Sequence, residues 1–321
     1  MLSSKVYLKI LFFILGMIVT TTVAYSYYFS KNYPLPITNR ISLDAKLQFI
    51  REHIDPGKID TIVVGSSLAL NNVQGSYLEK SSNKCKNVLN LSVWSIGPVQ
   101  VEQLLELSDA FPNLERIIYS GQFSDFGGID KLKNYDSMFI KKYIRNELNP
   151  VAYSSLLLNS CKDLSFCIKR QEEWEKEHGM NNKFAYLKFD HTGSAPLHIY
   201  GKDIVQHRWK NPHGAVQNPK AFDALARMAK KAKKDGLKFY FIQQPYRQPL
   251  IDKHLHVKHN MKTFPERVKS IITKEGGKFF NLYEKLHLSD KYFADRSHLN
   301  DQGSIIGTEE IAKFIDQNEE K

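Results

Sequence analysis

Two short segments far apart in the chain carry side chains that could act together chemically. The chain reads DRSHLN over residues 295–300, and an apolar run far upstream ends in GSS at residues 65–67. These segments supply a hydroxyl nucleophile, an imidazole that can take its proton, and a carboxylate that can hold the imidazole. Each of these residue types is common on protein surfaces, so the prediction depends on their joint placement. The pattern predicts a serine acyl-transfer site formed by Ser67, His298 and Asp295.

The elements around these segments would bring them to one edge of a sheet. Residues 61–64 (TIVV) are typical of a short buried strand, so Ser67 falls where this strand passes into a helix. Asn300 begins the segment NDQG, which favours a last helix directly after the Asp295–His298 pair. Side chains at the carboxyl ends of parallel strands converge on one crevice even when they are distant in sequence.

Apolar runs that alternate with helical patterns predict an α/β fold. Strands are predicted at residues 61–64, 87–91, 116–120, 238–243 and 278–283. Helices are predicted at residues 43–53, 99–110, 219–235, 264–275 and 303–317. Because alternating strands and helices form a parallel sheet covered on both faces, we expect a three-layer α/β/α domain with a five-stranded, flavodoxin-like parallel sheet.

The N-terminal segment has the length and flanking residues of a transmembrane helix. Residues 8–23 are nearly all apolar apart from Lys9 and a group of threonines, and about 20 such residues cross a bilayer. Lys5 and Lys9 lie at the start of this run, which predicts a cytoplasmic N-terminus and an extracytoplasmic domain. The alternative is a cleaved signal peptide, for which only Ala24-Tyr25-Ser26 approximates a cleavage site.

The expected organisation has three parts. A membrane anchor covers residues 1–30, a stalk follows at 31–57, and the main domain covers 58–321. Within that domain, residues 126–217 break the alternation of strands and helices. We expect them to form an insertion, or cap, over the edge of the sheet, where loops usually form a substrate pocket.

The charge and the cysteines limit the partners and the compartment. There are 45 Lys and Arg against 34 Asp and Glu, a formal net charge of +11 that is spread along the chain. For an exported domain this argues against nucleic acid and favours anionic lipid headgroups or acidic glycans, although a generally basic soluble surface explains it as well. In an oxidising compartment Cys161 and Cys167 could close a small loop and leave Cys85 free.

The residues quoted above resemble those of the SGNH (GDSL-like) hydrolase superfamily, particularly its membrane-anchored, extracytoplasmic branch. That branch includes proteins of polysaccharide O-acetylation and of teichoic-acid D-alanylation. The resemblance covers roughly residues 58 to 316, without the insertion. It implies that Ser67 is the nucleophile of the first sequence block and that Asp295 and His298 are the acid and base of the last block.

The resemblance also implies donors for the oxyanion of a tetrahedral intermediate. One would be the amide of Ser67, and a second would come from the second block, where Ser95 or Gly97 could supply it. The third block of the family often reads Gly-x-Asn-Asp, with the asparagine as a further donor. This chain has Gln122 there and no asparagine, so either Gln122 replaces that donor or the donor is absent. One such donor can be worth about 10²–10³ in rate.

Two functions follow as hypotheses. The first is a membrane-anchored serine esterase or O-acyltransferase that acts on acyl groups, chiefly acetyl, of cell-envelope polysaccharide, with a multi-pass membrane acyltransferase as a further partner. The second is a catalytically inactive SGNH-like scaffold that binds glycan or such an acyltransferase. Neither hypothesis calls for a cofactor. The irregular spacing of the histidines, without paired carboxylates, predicts no metal site.

Overall fold

The sheet that carries the candidate residues is parallel throughout. This computed structural model describes residues 4–160, 164–178, 187–214 and 216–319. The strands are β1 Thr61–Gly65, β2 Val88–Asn90, β3 Arg116–Gly121, β4 Lys238–Gln243 and β5 Lys278–Asn281. They lie in the order β2-β1-β3-β4-β5, and each neighbouring pair is parallel. This is the flavodoxin-like order, so the predicted α/β fold with a five-stranded parallel sheet is confirmed.

Helices connect the strands and cover the sheet. In the first part of the chain they are α1 Ser4–Asn32, α2 Ile41–His53, α3 Ser67–Asn72, α4 Gly75–Ser81 and α5 Pro98–Leu104. The predicted insertion contributes α6 Ser137–Ile144, α7 Pro150–Ser160, α8 Leu164–His178 and α9 Gln206–Lys210. The remainder are α10 Pro219–Lys234, α11 Gln248–Lys253, α12 Leu255–Lys274, α13 Leu282–Lys285 and α14 Asp301–Glu319.

Alternate residues of the strands face different helices, and this alternation produces the three layers. In β1, Ile62 and Val64 belong to the larger hydrophobic cluster, which includes side chains of α2, α5, α10 and α12. Val63, between them, belongs to a second cluster with Leu78 of α4 and Ile311 of α14. Both faces of a parallel sheet must be covered in this way, which is why its strands read as continuous apolar runs.

One helix is longer than predicted. The sequence predicted a helix at residues 264–275. The observed α12 begins at Leu255 and carries Pro265 in its interior. Val257, Met261 and Phe264 are buried along one face of the earlier turns, so packing offsets the hydrogen bond that proline cannot donate.

The segment predicted as a stalk is part of the folded domain. Leu43, Leu47 and Ile50 of α2 are fully buried in the larger hydrophobic cluster. Asp44 on the same helix forms a buried ion pair with Arg170 of α8. The prediction of a separate spacer at 31–57 is therefore wrong, because the apolar face of α2 needed a partner that the local sequence does not identify.

Helix α1 is exposed over most of its length and docks on the domain at its end. It is long and apolar enough to cross a membrane, with a mean hydropathy of 2.1, although a signal sequence near the N-terminus has the same properties. At its C-terminal end Phe29 is fully buried, and Tyr33 directly after the helix is 6% exposed. Both belong to the larger hydrophobic cluster.

Only two of the three cysteines lie within the described residues. Cys85 is a buried free thiol, and burial raises its pKa to about 11. Cys161 lies outside the described residues, so its pairing with Cys167 stays a prediction.

Candidate active site

The turn after β1 fixes the position of Ser67. Gly65 has a φ of +150°, and a Cβ there would lie 2.2 Å from the carbonyl oxygen of Ser120, so the turn requires glycine. Ser66 then caps the next helix, because its Oγ accepts a hydrogen bond from the amide of Leu68 at 3.2 Å. Ser67 is consequently the first residue of α3, at the carboxyl edge of the sheet.

Ser67, His298 and Asp295 form one continuous chain of hydrogen bonds. His298 Nε2 lies 2.9 Å from Ser67 Oγ, and His298 Nδ1 lies 2.9 Å from Asp295 Oδ2. Since the carboxylate can only accept, Nδ1 carries the proton and Nε2 is free to accept one from the serine hydroxyl. The structure thus brings together the three residues that were predicted from distant parts of the sequence.

The environment of Asp295 keeps this carboxyl ionised. Its Oδ1 accepts hydrogen bonds from the amides of Ser297 at 2.9 Å and of His298 at 2.8 Å. Burial by itself would raise the pKa of Asp295, but the charge and hydrogen bond of His298 and these two amides outweigh burial. The pKa of Asp295 is therefore held well below its usual range. A carboxylate in this state can stabilise an imidazolium.

Asn72, which sequence analysis missed, holds the loop that carries His298. Its Nδ2 donates to the carbonyl oxygen of Ser297 at 3.1 Å, and its Oδ1 accepts from the amide of Leu299 at 2.8 Å. Nδ2 also donates to Gln244 Oε1 at 3.1 Å. Asn72 is fully buried at the end of α3, so one short helix both presents the serine and positions the histidine. No local sequence signal identifies such a long-range contact.

A second carboxyl group, that of Asp125, stabilises the turn between β1 and Ser67. Asp125 Oδ2 accepts a hydrogen bond from the amide of Gln122 at 2.9 Å, and the carboxyl is also hydrogen-bonded by the Ser66 hydroxyl. Burial raises the pKa of Asp125 to about 6, although these hydrogen bonds and the charge of His298 act in the opposite direction. Asp125 thereby ties the loop after β3 to the loop that carries Ser67.

The residues predicted as oxyanion donors differ in their positions. Ser67 and Ser95 line the same cavity, and Ser95 has a φ of +50°. The amide of Gly97 instead donates to Gln100 Oε1 at 2.8 Å and begins α5. The amide group of Gln122 donates to the carbonyl oxygens of Pro245 at 2.8 Å and Gln244 at 3.3 Å.

These contacts remove two of the four predicted donors from the site. Ser95 or Gly97 was expected to supply the second donor, and Gln122 was expected either to replace the third or to leave it absent. The N–H groups of Gly97 and Gln122 already serve the start of a helix and the loop after β4. This geometry favours Ser95 over Gly97 and an absent third donor over Gln122. Ser67 and Ser95 remain as candidates that line the cavity.

A cavity of about 230 Å³ opens in front of the serine. The insertion supplies much of its wall through Glu177, Leu197, Ile199, Val205 and Arg208. Leu197 and Ile199 pack with Ala294 in a small apolar cluster, and all three are 3% exposed. The cavity therefore combines an apolar wall with polar groups, the arrangement common in small-molecule sites.

Among the described residues, no group of three or more His, Cys, Asp or Glu side chains is arranged to hold a metal ion. Two histidines of the insertion are instead paired with single carboxylates. His191 Nε2 lies 2.9 Å from Glu79 Oε2, and His198 Nδ1 lies 3.1 Å from Asp301 Oδ2.

Comparison with protein-family models and with curated proteins finds no match to this chain. The resemblance to the SGNH hydrolases stays a prediction that rests on the residues of the site.

Proposed function

We propose that this chain is a membrane-anchored SGNH-type serine esterase or O-acyltransferase that acts on acyl groups, chiefly acetyl, of cell-envelope polysaccharide. The observation that carries the proposal is the pair of 2.9 Å contacts that join Ser67 Oγ, His298 and Asp295. A free serine hydroxyl is a weak nucleophile near neutral pH, and an adjacent base held by a carboxylate is the usual means of activating it.

In the proposed reaction, Ser67 Oγ attacks the carbonyl carbon of an ester while His298 Nε2 takes the hydroxyl proton. The tetrahedral oxyanion then collapses, the bond to the alcohol oxygen breaks, and His298 returns the proton to the departing alcohol. Water or a sugar hydroxyl attacks the acyl-serine in the second half-reaction, with His298 again as base. The bond from the acyl carbon to Ser67 Oγ then breaks, and His298 returns the proton to Ser67. Asp295 remains ionised throughout and stabilises the imidazolium, in keeping with its low pKa.

The backbone amides of Ser67 and Ser95 are the donors that we assign to the oxyanion. Both residues line the cavity in front of the nucleophile. Donors fixed in advance at the position where charge develops are often the largest single contribution to such a reaction. Backbone amides suit this task because the fold holds them without any side-chain freedom.

A second groove beside the cavity supports a polar acyl acceptor as the substrate. It has a volume of about 660 Å³, and Ser95 lines both spaces. Arg40, Lys131 and Lys133 contribute positive charge to this groove and outnumber its two acidic residues, Asp125 and Asp130. Such a lining fits a hydroxyl-rich and acidic glycan better than an apolar ligand, because long-range attraction favours anions at a basic surface.

The N-terminal helix supports a membrane location. Helix α1 would serve as an uncleaved anchor, and Lys5 and Lys9 at its start favour a cytoplasmic N-terminus with the domain outside. A multi-pass membrane acyltransferase is the partner that would supply acyl groups from the other side of the membrane. Phe29 and Tyr33, which pack in the core, would keep the domain close to the bilayer.

Turnover of p-nitrophenyl acetate by the full chain in detergent tests the proposal. Ser67→Ala should lower kcat by on the order of 10⁴-fold or more, as for other serine triads. Ser289→Ala, at an exposed position away from the cavity, is the matched control and should retain wild-type kcat. Equal activity of the Ser67→Ala and wild-type proteins would refute the assignment of the nucleophile.

A specific observation also favours a second candidate, the catalytically inactive scaffold that binds glycan or an acyltransferase. The side chain of Gln122 is hydrogen-bonded to the loop after β4, so the third oxyanion donor expected from the resemblance is missing. Reaction with a fluorophosphonate separates the two candidates, because this reagent labels only an activated serine. A scaffold would bind glycan with Ser67 unlabelled.

A further inference from the structure

Asn71 stands beside the nucleophile and lines the same cavity. It lies one helical turn after Ser67 in α3, and residues four apart share one face of a helix. Its side chain is 1% exposed. The hydrogen bonds of the proposed mechanism do not involve Asn71, so a buried polar side chain in the wall of this cavity needs a separate explanation.

Among the described residues, only the Nδ2 end of the Asn71 side-chain amide has a hydrogen-bond partner. Nδ2 donates to the carbonyl oxygen of Ala195 at 2.7 Å, and this contact fixes the orientation of the amide because a carbonyl can only accept. Oδ1 is buried and has no hydrogen-bond partner among the described residues. Buried polar atoms are nearly always hydrogen-bonded, and a native exception points to strain, to function or to a bound group.

The chemistry of Oδ1 limits which ligand groups can form a hydrogen bond with it. This atom accepts but cannot donate, so neither the carbonyl oxygen of an ester nor a methyl group satisfies it. An O–H or N–H donor does, and a hydroxyl is the donor that an ester of a sugar carries next to its acyl group. The nearby apolar cluster of Leu197, Ile199 and Ala294 provides surface for the carbon atoms of the same ligand.

We propose that Asn71 determines specificity by accepting, at Oδ1, a hydrogen bond from a hydroxyl group of the bound ester. The preferred substrate class is then an ester of a polyol, as in a sugar, or of a hydroxy acid, and not a simple alkyl ester. This proposal rests on the proposed function of Ser67. A site built to bond a hydroxyl rejects the analogue that lacks it, because the buried acceptor is then left unpaired.

The test compares esters that differ by one hydroxyl group. In the alcohol part the pair is 2-hydroxyethyl acetate and ethyl acetate, and in the acyl part it is p-nitrophenyl hydroxyacetate and p-nitrophenyl acetate. The ratio of kcat/KM within each pair is measured for the wild type and for Asn71→Leu, so that intrinsic differences in ester reactivity cancel. We expect this ratio to fall by about tenfold to a hundredfold in Asn71→Leu for one pair, which identifies the part that carries the hydroxyl.

Asn71→Asp separates hydrogen-bond acceptance from anchoring of the insertion. In its ionised form, which the comparison requires and a pH series identifies, aspartate keeps acceptor oxygens at this position but cannot donate to the carbonyl of Ala195. We expect Asn71→Asp to retain the preference for the hydroxylated ester that Asn71→Leu loses. If both variants lose it equally, Asn71 acts through its contact with Ala195 and the proposal is overturned. Asn71→Ala replaces Asn71→Leu if the larger side chain prevents folding.

The wild-type protein alone can also overturn the proposal. If its kcat/KM ratios for both pairs of esters equal the rate ratios of alkaline hydrolysis of the same esters, Oδ1 does not accept a hydrogen bond from the substrate. Binding of the same esters to the Ser67→Ala protein, followed by NMR line broadening, reads the preference without turnover. The Ser67→Ala protein could bind the hydroxylated ester more tightly while the fluorophosphonate fails to label Ser67 in the wild type. That combination would support the role of Asn71 and refute the proposed catalysis.

Discussion

The hydroxyl of Tyr33 donates a hydrogen bond to Glu175 Oε1 at 2.9 Å and joins the end of α1 to α8. Two residues further along α8, Glu177 lines the cavity in front of Ser67. The apolar helix and the candidate active site are therefore linked through a single helix of the insertion. If α1 spans a membrane as we propose, the site is held at a fixed place near the membrane surface.

Phe29 should contribute to the stability of the domain although it belongs to the apolar helix. Its ring is fully buried and packs on Tyr33 with the centroids 5.2 Å apart. We expect Phe29→Ala to lower the free energy of unfolding by about 3–5 kcal/mol, the usual cost of emptying a core site of this size. Denaturant unfolding of the full chain in detergent measures the change.

Tyr27→Ala is the control for Phe29→Ala, because Tyr27 lies on the same helix and is 61% exposed. It should leave the unfolding midpoint close to that of the wild type. Equal midpoints for Phe29→Ala and Tyr27→Ala would mean that α1 is not docked on the domain.

Asn72→Ala should impair catalysis without touching the nucleophile. The variant loses the hydrogen bonds to Ser297 and Leu299 on both sides of His298. We expect kcat for p-nitrophenyl acetate to fall by about 10²-fold with little change in KM, because a small displacement of the base is costly. Asn159→Ala, on an exposed part of α7, serves as the control. Wild-type kcat in Asn72→Ala would show that the loop holds His298 without this side chain.

Asp125 should make the stability of the domain depend on pH. Burial raises its pKa from 3.8 to about 6, so between these values the native state retains a proton that the unfolded state has lost. Its contribution to stability is therefore fully present below about pH 4 and is lost as the pH rises through about 6.

Asp125→Asn removes this titration. The free energy of unfolding of the variant, relative to that of the wild type, should rise by about 2 kcal/mol between pH 4 and pH 6. Denaturant titrations across this range measure the difference, and the absolute offset from altered hydrogen bonds does not affect its slope. A difference that stays constant with pH would mean that Asp125 is ionised in the native state at pH 4.

The lysines of the second groove should matter for acidic acceptors. We expect the double variant Lys131→Gln, Lys133→Gln to raise KM for an acetylated oligouronate several-fold at low salt, with a smaller effect at high salt. An acetylated neutral oligosaccharide should show no such change. Lys230→Gln combined with Lys234→Gln, on the exposed end of α10, makes the same change of charge elsewhere. The same increase in both double variants would indicate attraction by total charge and not by the groove.

The fold was predictable from the sequence because its signals are local. The apolar runs of the five strands reflect burial on both faces of the sheet, and the run at residues 238–243 matches β4 at both ends. The three site residues could be predicted because Ser67 directly follows a strand of the sheet and the Asp295–His298 pair directly precedes the last helix. The packing of α2 was not predictable, since Arg170, the partner of its Asp44, lies far along the chain in α8.

Side chains that position others could not be predicted from sequence spacing. Asn72 contacts Ser297 across 225 residues, and Asp125 reaches Ser66 from the loop after another strand. Gln122 stands at the position of the third sequence block of the resemblance, but its side-chain amide donates hydrogen bonds to carbonyl oxygens of the loop after β4. In each case the decisive partner is distant in the chain, and the residue type alone does not distinguish a structural amide from one that faces substrate.

Labelling by a fluorophosphonate tests the central claim most directly, because the reagent reacts with a serine hydroxyl only when a base activates it. The full chain in detergent is treated with the reagent, digested, and analysed by mass spectrometry, beside His298→Ala and Ser289→Ala. We predict one adduct at Ser67 in the wild type and in Ser289→Ala, and none in His298→Ala. An unlabelled Ser67 in the folded wild-type protein, or equal labelling in His298→Ala, would contradict the proposed catalytic triad.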